Sequence, residues 1–203
     1  MSYINEPGQR PKTPTAQRST TAIGRPKSQS QSQFISFTEN TIEHKALVPT
    51  YRDIEQKGET FGHRDENMNH STILFDPTIK CGIIKFEVQN LKQLEGVGIA
   101  DGSVRYGPNE NPNKAGWENI VCYSSNGYVT HLGDWIDTNY QLVTGIRLAL
   151  ELNMDAKPRT LTFFVNDMEL LDYVIDIPPS VRFWAYISMD SCWTRQMVKL
   201  SEL

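Results

Sequence analysis

The side chains of this sequence that could do chemistry are few and scattered. Cys122 and His131 stand either side of Ser125-Asn126-Gly127. Across a hairpin they would meet as a thiolate–imidazole pair, but neither an orienting group nor oxyanion donors accompany them. A small buried cysteine beside a surface histidine is the simpler expectation. His63 and His70 bracket Asp65 and Glu66, a spacing that fits no metal loop and reads as a solvated turn. Gly96-Val97-Gly98 begins like a dinucleotide fingerprint, but Asp101 stands where the last glycine belongs, and the segment reads as strand, not strand-to-helix. No G-x-S-x-G elbow is present. Glycan hydrolysis needs two facing carboxylates, whereas Glu87, Glu151 and Asp155 fall on polar strand faces. No catalytic residue, metal, cofactor or small-molecule substrate is expected.

Other residues are better suited to gripping than to reacting. Residues 101–116 form a long polar insertion, held out of regular structure by Gly, Pro and Asn. Arg105 and Tyr106 are adjacent within it: Arg offers a fork of donors, and Tyr offers rigid contact area at low entropic cost. The same stretch also reads as a solvated connector. Trp135, in His131-Leu132-Gly133-Asp134-Trp135, is expected in a loop and is a second binding candidate. Trp193 is a candidate anchor or a core residue, and Trp184 faces away from Val181 and Phe183, on a side either exposed or covered by N-terminal residues such as Phe34 or Phe37.

Bulk properties narrow the partners. The chain has 203 residues, and 38% hydrophobic content supports a sizeable core. Residues 1–33 carry Arg10, Lys12, Arg18, Arg25 and Lys27 against Glu6 alone, a net charge of +4. The remainder carries 15 basic against 23 acidic residues, which disfavours nucleic-acid binding because phosphates demand clustered cations. Cys81, Cys122 and Cys192 are sparse, odd in number and without a CxxC pair, so neither a disulfide framework nor a zinc site is expected. No signal peptide is apparent and no apolar run nears the roughly 18 residues of a membrane span, so the cytoplasm or nucleus is the expected location.

Three segments follow from composition and periodicity. Residues 1–33 are rich in Ser, Thr, Gln and Pro and are expected to be disordered. They contain a short repeat, Arg10-Pro11-Lys12-Thr13 and Arg25-Pro26-Lys27-Ser28, which makes Thr13 and Ser28 candidate phosphorylation sites, or else part of a plain solvated linker. Residues 34–70 are an extension with one candidate strand, residues 34–37, and a stretch at 51–57 that reads as helical turn or loop. Residues 71–203 show period two. Ile146, Leu148, Leu150, Leu152 and Met154 share one face of a strand; Leu161, Phe163 and Val165 share another, as do Val181, Phe183, Ala185, Ile187 and Met189. Asn126-Gly127, residues 155–158, Asn166-Asp167 and Pro178-Pro179 punctuate the strands. An all-β antiparallel sandwich follows.

In order and character these elements resemble the SPRY domain. The matching stretches are residues 82–89, 96–100, 117–127, 128–133, 144–155, 160–166 and 181–189, running on to Trp193. The most specific match is a long alternating strand ending in Leu152-Asn153-Met154-Asp155, followed by Thr160-Leu161-Thr162-Phe163-Phe164-Val165-Asn166. Thr144-Gly145 replaces the family's Gly-Asp, and the extra N-terminal motif of tripartite-motif ligases is not seen. The resemblance implies a bent, concanavalin-like sandwich that binds peptide segments of partner proteins through rim loops, without catalysis or cofactor. It implies a core role for Trp117. It also carries partner contact over to Asp101, Ser103, Arg105 and Tyr106, and to Trp193 with its neighbours Cys192 and Thr194. Such a module, lacking an effector domain of its own, would act as an adaptor. The alternative is a carbohydrate-binding sandwich of lectin type, for which Trp135 with His131 and Asp134 is the one cluster of suitable character.

Overall fold

Alternating side chains build this molecule by giving each strand one apolar face to bury. A computed structural model describes residues 23–24, 40–64, 68–188 and 195–203. In chain order the strands are β1 (Ile23–Gly24), β2 (Asn40–Thr41), β3 (Lys45–Leu47), β4 (Ile54–Lys57), β5 (Thr60–His63), β6 (Ser71–Ile79), β7 (Ile83–Lys92) and β8 (Gly96–Asp101). They continue with β9 (Ile120–Ser124), β10 (Tyr128–His131), β11 (Asp134–Asp137), β12 (Arg147–Asn153), β13 (Thr160–Val165), β14 (Met168–Ile175), β15 (Val181–Ile187) and β16 (Arg195–Glu202). Two 3-10 turns, Pro112–Ala115 and Trp117–Asn119, lie between β8 and β9.

The strands form two antiparallel sheets, the expected sandwich. The first runs β1-β14-β13-β12-β7-β16-β5-β4, with β2 also pairing β16; the second runs β11-β10-β9-β8-β15-β6-β3. Leu148, Leu150 and Leu152 of β12 and Leu161, Phe163 and Val165 of β13 are all buried, and so are Val181, Phe183, Ala185 and Ile187 of β15. Aromatic rings join the layers. Phe86 of β7 stacks on Phe183 of β15 with centroids 4.8 Å apart and planes within 6°, and Tyr123 of β9 meets Phe163 of β13 at 5.4 Å. The turns act as expected: Gly127 has φ 87°, and Asn166 and Asp167 have φ 48° and 67°, the left-handed pair that a tight hairpin requires.

The N-terminal extension feeds both sheets. β3 edges the second sheet beside β6, and the β4–β5 hairpin lengthens the first beyond β16. Residues 54–57, read as turn or loop, are therefore strand. The candidate strand at residues 34–37 lies outside the described residues, as do Thr13 and Ser28. Within the N-terminal tail, Ile23 and Gly24 pair with Val174 and Tyr173 of β14.

The outer face of β15 departs from expectation. Trp184 is completely buried there, in a second apolar cluster with Leu74, Ala100, Ile120 and Cys122. Leu47 covers part of it, and Val104, Tyr106, Ala115 and Trp117 of the insertion cover the rest. Their irregular spacing hides this from any periodicity argument. A continuous row crosses the sheet through paired positions: Leu47, Leu74, Trp184, Gly98, Cys122, Thr130 and Trp135. Directly opposed residues point to the same face, so these all look outward. Gly98 is the gap in the row. A Cβ there would stand 1.8 Å from the Val121 carbonyl oxygen and 2.8 Å from Trp184 Cζ2. We predict that Gly98→Ala costs about 3 kcal/mol or more in a urea unfolding titration, because neither backbone nor a buried indole can give way.

Candidate functional site

The insertion between β8 and β9 is fastened rather than loose. At its start, Asp101 Oδ1 accepts from the Ser103 amide at 2.9 Å and from Ser103 Oγ at 2.6 Å. Gly102 N donates to the Ser180 carbonyl at 2.7 Å. Arg182, nearly buried, donates to both Asp76 Oδ1 and the Gly102 carbonyl, tying insertion to sheet. Farther along, the tip is pinned at the other end of the strands. The His70 amide donates to Asn109 Oδ1 at 3.0 Å, and Thr72 Oγ1 donates to the Glu110 carbonyl at 2.9 Å.

The residues singled out from sequence play different parts in and beside this insertion. Asp101 and Ser103 sit at the anchored start. Arg105 is exposed, and its Nη1 folds back to donate to the Gly102 and Val104 carbonyls at 3.0 and 2.6 Å. Tyr106 is half-buried over the outer cluster and donates to the Pro112 carbonyl at 3.1 Å. Burial first, then the nearby Cys122 and Glu110, raises its hydroxyl above the usual tyrosine range. Its ring thus helps hold the insertion down. Trp193, Thr194 and Cys192 lie outside the described residues.

Trp135 belongs to β11, not to a loop, and lies at the open end of the outer row. The residue is 52% exposed, and its ring lies 5.7 Å from Trp117 and 6.4 Å from Tyr128 between centroids. Trp117 opens a 3-10 turn and packs against the outer cluster, so it supports its neighbour from the insertion side. The contribution of Trp117 and Tyr128 depends on cross-strand placement, a signal that no local motif carries. Asp134 and Asp137 flank Trp135 on the same short strand, and Glu118 follows Trp117.

Cys122 and His131 do not come together. Cys122 pairs with Thr130 and looks outward, while its neighbour Val121 pairs with His131 and belongs to the inter-sheet core. Thiol and imidazole therefore face opposite sides of the sheet. Burial pushes the Cys122 thiol up to about 12 and holds His131 below the ordinary histidine value. His131 is buried rather than on the surface, with Nδ1 3.5 Å from the Ile120 carbonyl oxygen. Both ring nitrogens of buried His63 meet backbone carbonyls, of Arg64 and Asn69, and His70 Nδ1 meets the Tyr186 hydroxyl at 2.6 Å. Asp65 and Glu66 are outside the described residues. Among the described residues, no group of three His, Cys, Asp or Glu is placed to hold a metal, and no helix is long and apolar enough to cross a membrane.

No protein-family model matches this sequence, and no curated protein does. The fold is similar to that of solved structures. The SPRY domain of human HERC1 is 15% identical with a TM-score of 0.55, over 75% of this chain and 96% of that one. Another human SPRY domain is 13% identical with a TM-score of 0.57, over 78% and 97% of the two chains. Peanut lectin, solved with a nonamer peptide, is 11% identical with a TM-score of 0.51, over 83% and 95%. At these identities the likeness concerns the fold: this chain has the SPRY-type sandwich, within the broader lectin-like architecture.

Two tests follow from the burial of Cys122 and His131. In a chain carrying Cys192→Ser, iodoacetamide at about pH 8 should alkylate exposed Cys81 and leave Cys122 untouched until the protein is denatured, because only the thiolate attacks. His131 is held neutral in the fold, whereas the unfolded chain binds a proton below about pH 6.5. Stability should therefore decline as pH falls through that value, and urea titrations should show a shallower decline in His131→Gln.

Proposed function

We propose that this chain is a protein-interaction module without catalytic activity. It takes a short segment of a cytoplasmic or nuclear partner at the margin where the insertion meets β11. The observation that carries this reading is the half-exposed indole of Trp135, braced by two further rings at the end of the outward row of the second sheet. Large, pre-positioned aromatics with little conformational freedom left to lose are typical binding anchors. Arg105 supplies an exposed guanidinium on the neighbouring insertion, and Asp101 and Ser103 stiffen its start. Tyr106 supports this surface from beneath. Trp193 and Thr194 enter the proposal as a second contact region on the segment before β16. The SPRY-type fold favours a binding role, since the resemblance implies rim-loop recognition of peptides. Phosphorylation of Thr13 or Ser28 in the basic tail would then adjust docking by reversing local charge.

A lectin-like role has less support. Of the cluster expected for it, Asp134 lies beside the exposed Trp135, but His131 is only 2% exposed and turns into the core.

Affinity capture with mass spectrometry should recover a partner on wild-type protein and lose it on Trp135→Ala, with a smaller loss on Arg105→Ala and on Trp193→Ala. Because Trp135 is half in solvent, the melting temperature should move by no more than about 3 °C. Undiminished capture by all three variants would refute the site.

A further inference from the structure

We propose that the free edge of β11 receives a basic, extended segment of a partner protein as an added strand, with a cationic side chain lying over Trp135. This rests on the interaction reading above and specifies the chemistry of what is bound.

The first ground is the edge itself. β11 pairs with β10 through Tyr128 to Asp137, Val129 to Ile136, Thr130 to Trp135 and His131 to Asp134. Among the described residues its other side has no strand. Its outward-turned backbone donors and acceptors are a template for a further strand. Three other edge strands carry a cation or are partly covered. β3 carries Lys45, β4 carries an ion pair between Lys57 and Glu55 at 2.7 Å, and β14 is partly covered by β1. β11 carries acids in place of cations, with an exposed aromatic ring between them.

The second ground is charge. Asp134 and Asp137 lie on the strand, and Glu118 follows the Trp117 that braces Trp135. No lysine, arginine or histidine forms an ion pair with any of the three among the described residues. Asp137 does accept from the Asn139 amide at 2.9 Å, which fixes its carboxylate beside the strand end. The tail apart, the chain has 23 acidic against 15 basic residues, so the wider field also favours a cation.

The two grounds fit a single ligand pattern. Side chains alternate along a strand, so Trp135 and Asp137 share one face while Asp134 and Ile136 share the other. An added strand would place one basic side chain over the indole and another, two residues on, beside Asp137. An apolar residue between them would meet Ile136, and a further basic residue would meet Asp134. A cation over an indole and beside a carboxylate gains from both contacts. Recognition is therefore for a basic–apolar–basic–basic segment in extended form. The acidic pair also discourages a second copy of this chain, which would set aspartate against aspartate.

The test uses the full chain and a fluorescein-labelled six-residue peptide: threonine, lysine, valine, arginine, lysine, threonine. Its control has glutamate in place of each basic residue. Fluorescence anisotropy should show salt-sensitive binding of the basic peptide and none of the acidic one. Trp135→Ala should weaken binding about tenfold, and Asp134→Asn with Asp137→Asn by a similar factor, without change in melting temperature. Hydrogen exchange should show new protection of β11 amides on peptide addition. Equal binding of both peptides, binding indifferent to these substitutions, or binding without protection of β11 would overturn the proposal. So would peptide affinity that rises when Arg10, Lys12, Arg18, Arg25 and Lys27 are changed to Gln, since the chain's own tail would then be the occupant. Loss of partner capture on Trp135→Ala, together with full capture by the two asparagine substitutions, would leave the interaction reading standing and remove this one.

Discussion

The outer surface of this sandwich depends on the fit of one indole over one missing side chain. Trp184 is fully buried on the face of β15 that would ordinarily meet water, and the space it fills lies over Gly98 of the adjacent strand. With that ring in place, Leu74, Cys122, Tyr106 and Trp117 have an apolar floor to settle on. Burial of this kind is stabilising in proportion to the area removed from water, at about 25 cal/mol per Å2. Here it turns a long polar insertion into a third layer of the domain.

Polar contacts then hold that layer in register. Arg182 reaches from the sheet to the Gly102 carbonyl and to Asp76, while Asn109 and Glu110 are held from His70 and Thr72. A neutral bond of this kind is worth only about 1 kcal/mol net, and one to a charged group about 2 kcal/mol. Their placement at opposite ends of the strands is what removes freedom from the segment between. The result is a braced surface that ends, at β11, in an indole with its backing rings already in place. Surfaces organised before binding lose less entropy when a ligand arrives.

The same geometry separates the groups that might have been chemical. A sheet sends neighbouring residues to opposite faces, so Val121 beside His131 and Cys122 beside Thr130 divide imidazole from thiol. Each is then desolvated in its own apolar surroundings, which favours the neutral form of both. Nothing in that arrangement activates a nucleophile.

The period-two pattern of residues 146–154, 161–165 and 181–187 made the sandwich legible in the sequence, because a half-buried strand must alternate to satisfy two solvents at once. The hairpins at Asn126-Gly127 and Asn166-Asp167 were legible too, since few residues accept left-handed backbone. The exposure of Arg105 followed from its place in a polar insertion rich in Gly, Pro and Asn. What sequence left open was which groups would be drawn together. Tyr106 and Trp117 turn inward, and Trp135 gains its neighbours, through strand pairing across the sheet and through an insertion whose apolar residues follow no period. Composition and alternation are local properties of the chain, and they determined the architecture. The covered face of Trp184, the division of Cys122 from His131 and the place of β11 at the end of its sheet among the described residues depend on which strand lies beside which, and only the tertiary structure decided them.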